Sequence, residues 1–70
     1  MGKPHPIMVG LTRRRQELHL SQEELGRLLH MTGAGLCRRE TGGTVPSLVE
    51  ADRQARALGL RLALVPLEKP

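Results

Sequence analysis

The stretch LHLSQEELGRLLHMTGAGLCRRETG, Leu18 to Gly42, holds two helix starts in close succession, and its reading decides the fold. Ser21 with Glu24 spells a capping box, in which the hydroxyl accepts one free helix amide and the carboxylate reaches back to another. Leu20 and Leu25 flank the box where a hydrophobic staple belongs, and the helix continues through Leu25, Leu28 and Leu29. Thr32 caps the next helix, Met31 and Leu36 are its staple, and Gly42-Gly43 ends it. Gly26 is small where these two helices cross, and Leu25, Leu29, Met31 and Leu36 fill the space between them.

Upstream, Ile7, Leu11 and Leu18 recur at helical spacing and predict a helix from about Ile7 to Leu18. Before it, Gly2, Pro4 and Pro6 mark residues 1–6 as a short arm. Downstream, Gly43-Thr44-Val45-Pro46 reads as a loop leading to Ser47, which forms a second capping box with Glu50. A fourth helix then carries Leu48, Ala51, Ala55 and Leu58 on one face and stops at Gly59, a glycine cap. In the segment Leu60-Arg61-Leu62-Ala63-Leu64-Val65, the three leucines fall on one side of an extended chain that Pro66 closes. The domain organisation is therefore an arm (1–6), a four-helix body (7–59) and a C-terminal strand and tail (60–70).

A chain of 70 residues buries a small core and is marginal alone. It has one cysteine and therefore no internal disulfide, and its scattered histidines His5, His19 and His30 make no metal cluster. Oligomerisation is the remaining common source of stability. The net charge of +4 fits a solvated surface or an anionic partner. Aromatic residues are absent, whereas modules for single strands and RNA stack bases on aromatic rings, so duplex DNA is the favoured polyanion. No long apolar run marks a membrane span or signal peptide, and the lone thiol fits the cytoplasm. No nucleophile–base constellation is present and the chain is too short to enclose a pocket, so an enzyme is not expected, nor is a cofactor.

From Leu11 to Leu60 the chain resembles the Cro-like, or XRE-type, repressor superfamily. The resemblance rests on the quoted stretch, on Pro46-Ser47-Leu48 and on Ala55-Arg56-Ala57-Leu58-Gly59-Leu60. It implies an all-α, compact four-helix lambda-repressor-like DNA-binding domain, here extended by a short C-terminal β-strand. The third helix would enter the major groove with its N-terminal residues at base edges. Arg15, between Leu11 and Leu18, and Glu40, one turn after Leu36, both point inward. An inward charge needs a partner, so the two are paired, as the resemblance also implies, and lock helix 1 to the recognition helix. The alternative is that both snorkel to solvent. The chain departs from the family at Gly33 and Gly35, where polar readers are common, and at His19 and His30, which replace turn glycines. Arg39, Asp52 and Gln54 stand at usually apolar positions. Arg39 either packs its stem and sends its head out or sits in altered packing, and the fourth helix is expected to pack thinly.

The expected DNA-contacting set is Gln22, Thr32, Gly33, Ala34, Cys37, Arg38, Thr41, Gly43 and Thr44. Gln22, at the amide-rich start of helix 2, can meet a phosphate. Arg38 suits bidentate pairing with guanine, or a phosphate. Ala34 is placed to touch a thymine methyl or merely fills the helix, and Thr32 is first a cap. Amides and hydroxyls at Thr41, Gly43 and Thr44 can hold phosphate. Cys37 faces outward with no activating cluster beside it and is read as inert. Leu60, Leu62 and Leu64 are expected to pair with the same segment of a second copy, or else to fold back on their own core. The expected function is a homodimeric repressor at a palindromic operator. The tail from Leu58 to Pro66 resembles that of HipB-like antitoxins, a family in which the dimer represses its own operon and binds a cognate toxin. The alternative is an interaction module of the same fold that no longer binds DNA.

Overall fold

The computed structural model describes residues 2–68; Met1 of the expected arm and Lys69 and Pro70 of the expected tail lie outside the described residues. The helices are α1 (Pro6–Glu17), α2 (Gln22–Leu28), α3 (Gly33–Thr41) and α4 (Leu48–Ala57). Each starts on a side-chain cap. Pro6 opens α1, where its missing amide costs nothing, and His5 Nδ1 accepts from the Ile7 amide at 3.0 Å. Both capping boxes close. The Ser21 amide donates to Glu24 at 2.8 Å and the Glu24 amide to Ser21 Oγ at 3.0 Å. Ser47 and Glu50 do the same at 2.8 and 3.1 Å. Thr32 Oγ1 accepts from the Gly35 amide at 3.0 Å. The Ser21 and Ser47 amides and hydroxyls hold Glu24 and Glu50 below the usual carboxylate range, with the Arg39 charge adding to the effect at Glu50. A carboxyl whose folded pKa is depressed stabilises the fold above its unfolded value and loses that contribution as the pH falls through the folded one.

His19 and His30 take the α1–α2 and α2–α3 turns at φ 57°, the left-handed backbone for which glycine is usual. Gly26 permits the tight passage between α2 and α3. A Cβ there would sit 2.6 Å from the Met31 carbonyl oxygen, and the Met31 amide donates to the Gly26 carbonyl at 2.9 Å.

Met8, Leu11, Leu25, Leu29, Leu36, Ala55 and Leu58 form the core, with Leu20, Met31, Ala57 and Leu62 packed against it. The buried stripe of α1 runs through Met8, Leu11 and the half-buried Arg15 rather than through Ile7, Leu11 and Leu18. Ile7 is a helical step of about 100° away from Met8, and Leu18 is already the C-cap, so both are exposed. Leu48 opens α4 at the rim rather than joining Ala51, Ala55 and Leu58 inside, and is 76% exposed; Leu28 also faces outward.

The polar residues of α4 take a specific arrangement. Gln54 is fully buried, and its Oε1 accepts from Arg39 Nη1 at 3.1 Å. Arg39 Nη2 lies 3.4 Å from Glu50 Oε2, so the guanidinium turns inward and ties α3 to α4. Gln54 Nε2 has no hydrogen-bond partner among the described residues. Asp52 stays outside and pairs with Arg56 at 3.0 Å.

Beyond Gly59 the Leu60 amide donates to the Ala55 carbonyl at 2.8 Å and Leu62 packs on the core, while Leu64, Val65 and Leu67 stand in solvent. No strand forms among the described residues. A strand at 60–65 requires a ladder partner, and the described residues offer none.

The Arg39–Gln54 contact should cost stability. Replacing both residues, Arg39→Met with Gln54→Leu, removes the orphaned amide and is expected to stabilise by about 1–4 kcal/mol. Gln54→Leu alone leaves the Arg39 guanidinium with Glu50 as its one partner and should destabilise by about 1–3 kcal/mol. Urea denaturation reads both, and a double variant less stable than wild type would show that the buried polar contact stabilises the fold.

Candidate nucleic-acid interface

The α2–α3 pair presents one outward surface. Thr32, Ala34, Arg38, Thr41, Gly43 and Thr44 are exposed on it, and Gln22, Gly33 and Cys37 are half-buried. The starts of α2 and α3 bound a shallow cleft lined by Ser21, Gln22, Glu23, Thr32, Gly33 and Ala34. Both glycines of α3 have a packing reason. A Cβ at Gly33 would lie 3.3 Å from the Glu23 amide nitrogen, and one at Gly35 would lie 3.3 Å from Thr32 Oγ1. Larger readers at these positions would push α3 away from α2 or crowd its cap. The side chains exposed on this face are therefore those of Ala34, Arg38 and the rim residues.

Behind the surface, Arg15 and Glu40 form a bidentate pair, Nε to Oε2 at 2.8 Å and Nη2 to Oε1 at 3.0 Å. Their side chains are 12% and 5% exposed. Arg15 Nη1 also donates to the Leu20 carbonyl at 2.7 Å, in the turn before α2. Gln22 Nε2 donates to Glu40 Oε1 at 3.0 Å. The pair thus joins α1, the α1–α2 turn, the first residue of α2 and the last turn of α3. Gln22 is oriented by this network through the one amide hydrogen it gives to Glu40.

The exit of α3 is arranged differently from the sequence expectation. The Gly43 and Thr44 amides both donate to the Arg38 carbonyl, at 2.8 and 3.3 Å, and the Thr41 hydroxyl donates to the Cys37 carbonyl at 2.9 Å. These donors close the helix end, aided by Gly42 at φ 88°. The Arg38 side chain is exposed and enters no salt bridge among the described residues. Sequence reasoning missed the inward Arg39–Gln54 contact and the packing of the arm on Gly42, where a Cβ would collide with the Gly2 carbonyl oxygen. The polar residues in the α4 pattern signalled the first; nothing in the sequence signalled the second.

Residues 11–65 match the model of a family described as helix-turn-helix. A solved structure described as a toxin-antitoxin module from Streptococcus pneumoniae is 37% identical, with a TM-score of 0.67, over 89% of this chain and 68% of that chain. No curated protein sequence matches.

Glu40→Ala leaves Arg15 charged in a poorly hydrated site and frees Gln22, and it should cost about 3–5 kcal/mol in chemical denaturation. An unchanged midpoint would show both groups to be solvated.

Proposed function

The chain belongs to the helix-turn-helix family, a family of DNA-binding regulators rather than enzymes, and from that membership we propose a homodimeric, sequence-specific repressor of duplex DNA. The observation that carries the proposal is the exposed face of α3, braced from behind by the Arg15–Glu40 pair and flanked by the oriented Gln22. On this reading α3 lies in the major groove, Arg38 pairs with guanine, Ala34 meets a thymine methyl, and Gln22, Thr32 and Thr44 hold the backbone. Gly33, Cys37, Thr41 and Gly43 line the same surface without side-chain readout of their own. No helix among the described residues is long and apolar enough to cross a membrane, and the proposed site of action is the cytoplasm.

The likeness to a chain of a toxin-antitoxin module supports the more specific reading of an autoregulating antitoxin that also binds a cognate toxin. Residues 7–59 are then the DNA-binding body, residues 1–6 an arm, and residues 60–70 the dimerisation segment. Leu60 and Leu64 are exposed apolar side chains, and past the Leu60 amide, which donates to Ala55, an extended segment needs backbone partners; the same segment of a second copy satisfies both needs. The two-fold axis sets the recognition helices about one DNA turn apart, which fits a palindromic operator. A second reading, an interaction module without DNA binding, draws on Gly33 and Gly35, which give α3 little side-chain readout.

Selection from a random duplex pool tests the principal reading: a palindromic consensus should emerge. Arg38→Ala should then relax one base position per half-site at a cost of about 1–3 kcal/mol. Uniform weakening across all sequences would move Arg38 to phosphate, and no enrichment would favour the interaction module. Leu64 is fully exposed, so Leu64→Asp leaves the monomer fold intact and should shift sedimentation to monomer. A persisting dimer would move the interface onto the helices.

A further inference from the structure

Pairing of two C-terminal segments uses only one of their faces. Side chains alternate along an extended chain, so Leu60, Leu62 and Leu64 share one face and Val65 and Leu67 fall on the other. Val65 and Leu67 stand in solvent, 78% and 92% exposed, and Glu68 beyond them is exposed too.

A hollow of about 260 Å³ lies between the arm and the start of α1 on one side and the α3–α4 loop and the start of α4 on the other. The exposed Ile7, Val45 and Leu48 line it, together with the buried Met8. Its charged lining residues are Lys3 and Arg39, both cationic, and Arg39 is already held by Glu50 and Gln54. Lys3 enters no salt bridge among the described residues. The hollow therefore suits an apolar segment with a negative end, and Val65-Pro66-Leu67-Glu68 is such a segment.

The reach also fits. Leu62 packs on the core, and from there to Glu68 the chain spans up to about 20 Å when extended. Helix α4 has 10 residues and is about 15 Å long, and the hollow lies at its start. A tail can thus run the length of an α4 and end in the hollow. Within the single chain it does not do so, since Val65 and Leu67 remain in solvent. Antiparallel pairing of segments 60–65 instead sends each tail back past the first residue of the other segment, toward the other copy's α4.

We propose that the tails dock in trans: Leu67 of each copy enters the hollow of the other, and Glu68 meets Lys3 of the partner subunit. The proposal rests on the homodimer reading above and adds to it a second contact, at the start of α4.

The test is disulfide trapping in the full chain with Cys37→Ser. Copies with Leu48→Cys are refolded together with isotopically heavy copies carrying Leu67→Cys, oxidised with glutathione and read by mass spectrometry. Leu48 and Leu67 are exposed, so both variants keep the fold. A disulfide from position 48 of a light copy to position 67 of a heavy one should accumulate. Leu28→Cys, exposed on α2, should form no such link to Leu67→Cys. In sedimentation, Leu67→Asp should raise the dimer dissociation constant by about tenfold or more. A dimer that traps no link between positions 48 and 67, that traps Leu28→Cys as readily, or that tolerates Leu67→Asp overturns the docking while leaving the homodimer intact. A chain with both Leu48→Cys and Leu67→Cys that closes within one copy also overturns it, since the tail then folds back on its own body. Wild type that sediments as a monomer overturns the homodimer reading and this proposal together.

Discussion

The Arg15–Glu40 ion pair is the contact on which the rest of the structure depends. Taking two charges out of water is expensive, and the cost is recovered only when geometry is good and the remaining hydrogen-bonding groups are satisfied. Here the pairing is bidentate, the Leu20 carbonyl takes a further arginine proton, and Gln22 donates to the carboxylate. A pair so fully partnered has few alternative arrangements. Its value is positional more than energetic. It fixes α3 against α1 and points Gln22 beside the recognition surface.

The remaining packing is lean, and this gives the pair its weight. The core consists of small and medium apolar side chains without a single aromatic, and α4 adds a buried amide whose nitrogen has no partner among the described residues. Two histidines hold left-handed turns where glycine would cost less. A body with these costs and so little apolar burial is marginal as a monomer. In the proposed dimer the exposed leucines after Gly59 meet a second copy, which adds burial and the two-fold symmetry of a palindromic site.

Much of this was legible in the sequence because caps and turns are local. Ser21 with Glu24, Thr32, and Ser47 with Glu50 each announce a helix start within a few residues, and Gly42 and Gly59 announce stops. The Arg15–Glu40 pair was legible because helical spacing pointed both charges inward. The α1 stripe was misplaced by one residue, since Ile7 and Met8 are both apolar and only the tertiary direction of Arg15 chooses between them. Arg39 was ambiguous, because whether its head leaves or turns in depends on Gln54, which lies on another helix. The arm on Gly42 left no mark, since contact with a bare α-carbon selects a glycine that the helix end already requires. The donors of the α3 exit loop were misjudged for a related reason: sequence shows that amides exist there, not that the Arg38 carbonyl consumes them.

In the proposed function the inner ion pair sets the DNA-reading surface rather than merely stabilising the fold. The direct measurement is a double replacement, Arg15→Met with Glu40→Met, followed by both thermal unfolding and duplex affinity. An apolar pair of similar volume should keep the protein folded with a midpoint near or above that of wild type. Affinity should nonetheless fall by about tenfold or more, equivalent to about 1.4 kcal/mol, because Gln22 loses its anchor and α3 its brace. A folded double variant that binds duplex DNA as tightly as wild type would contradict it.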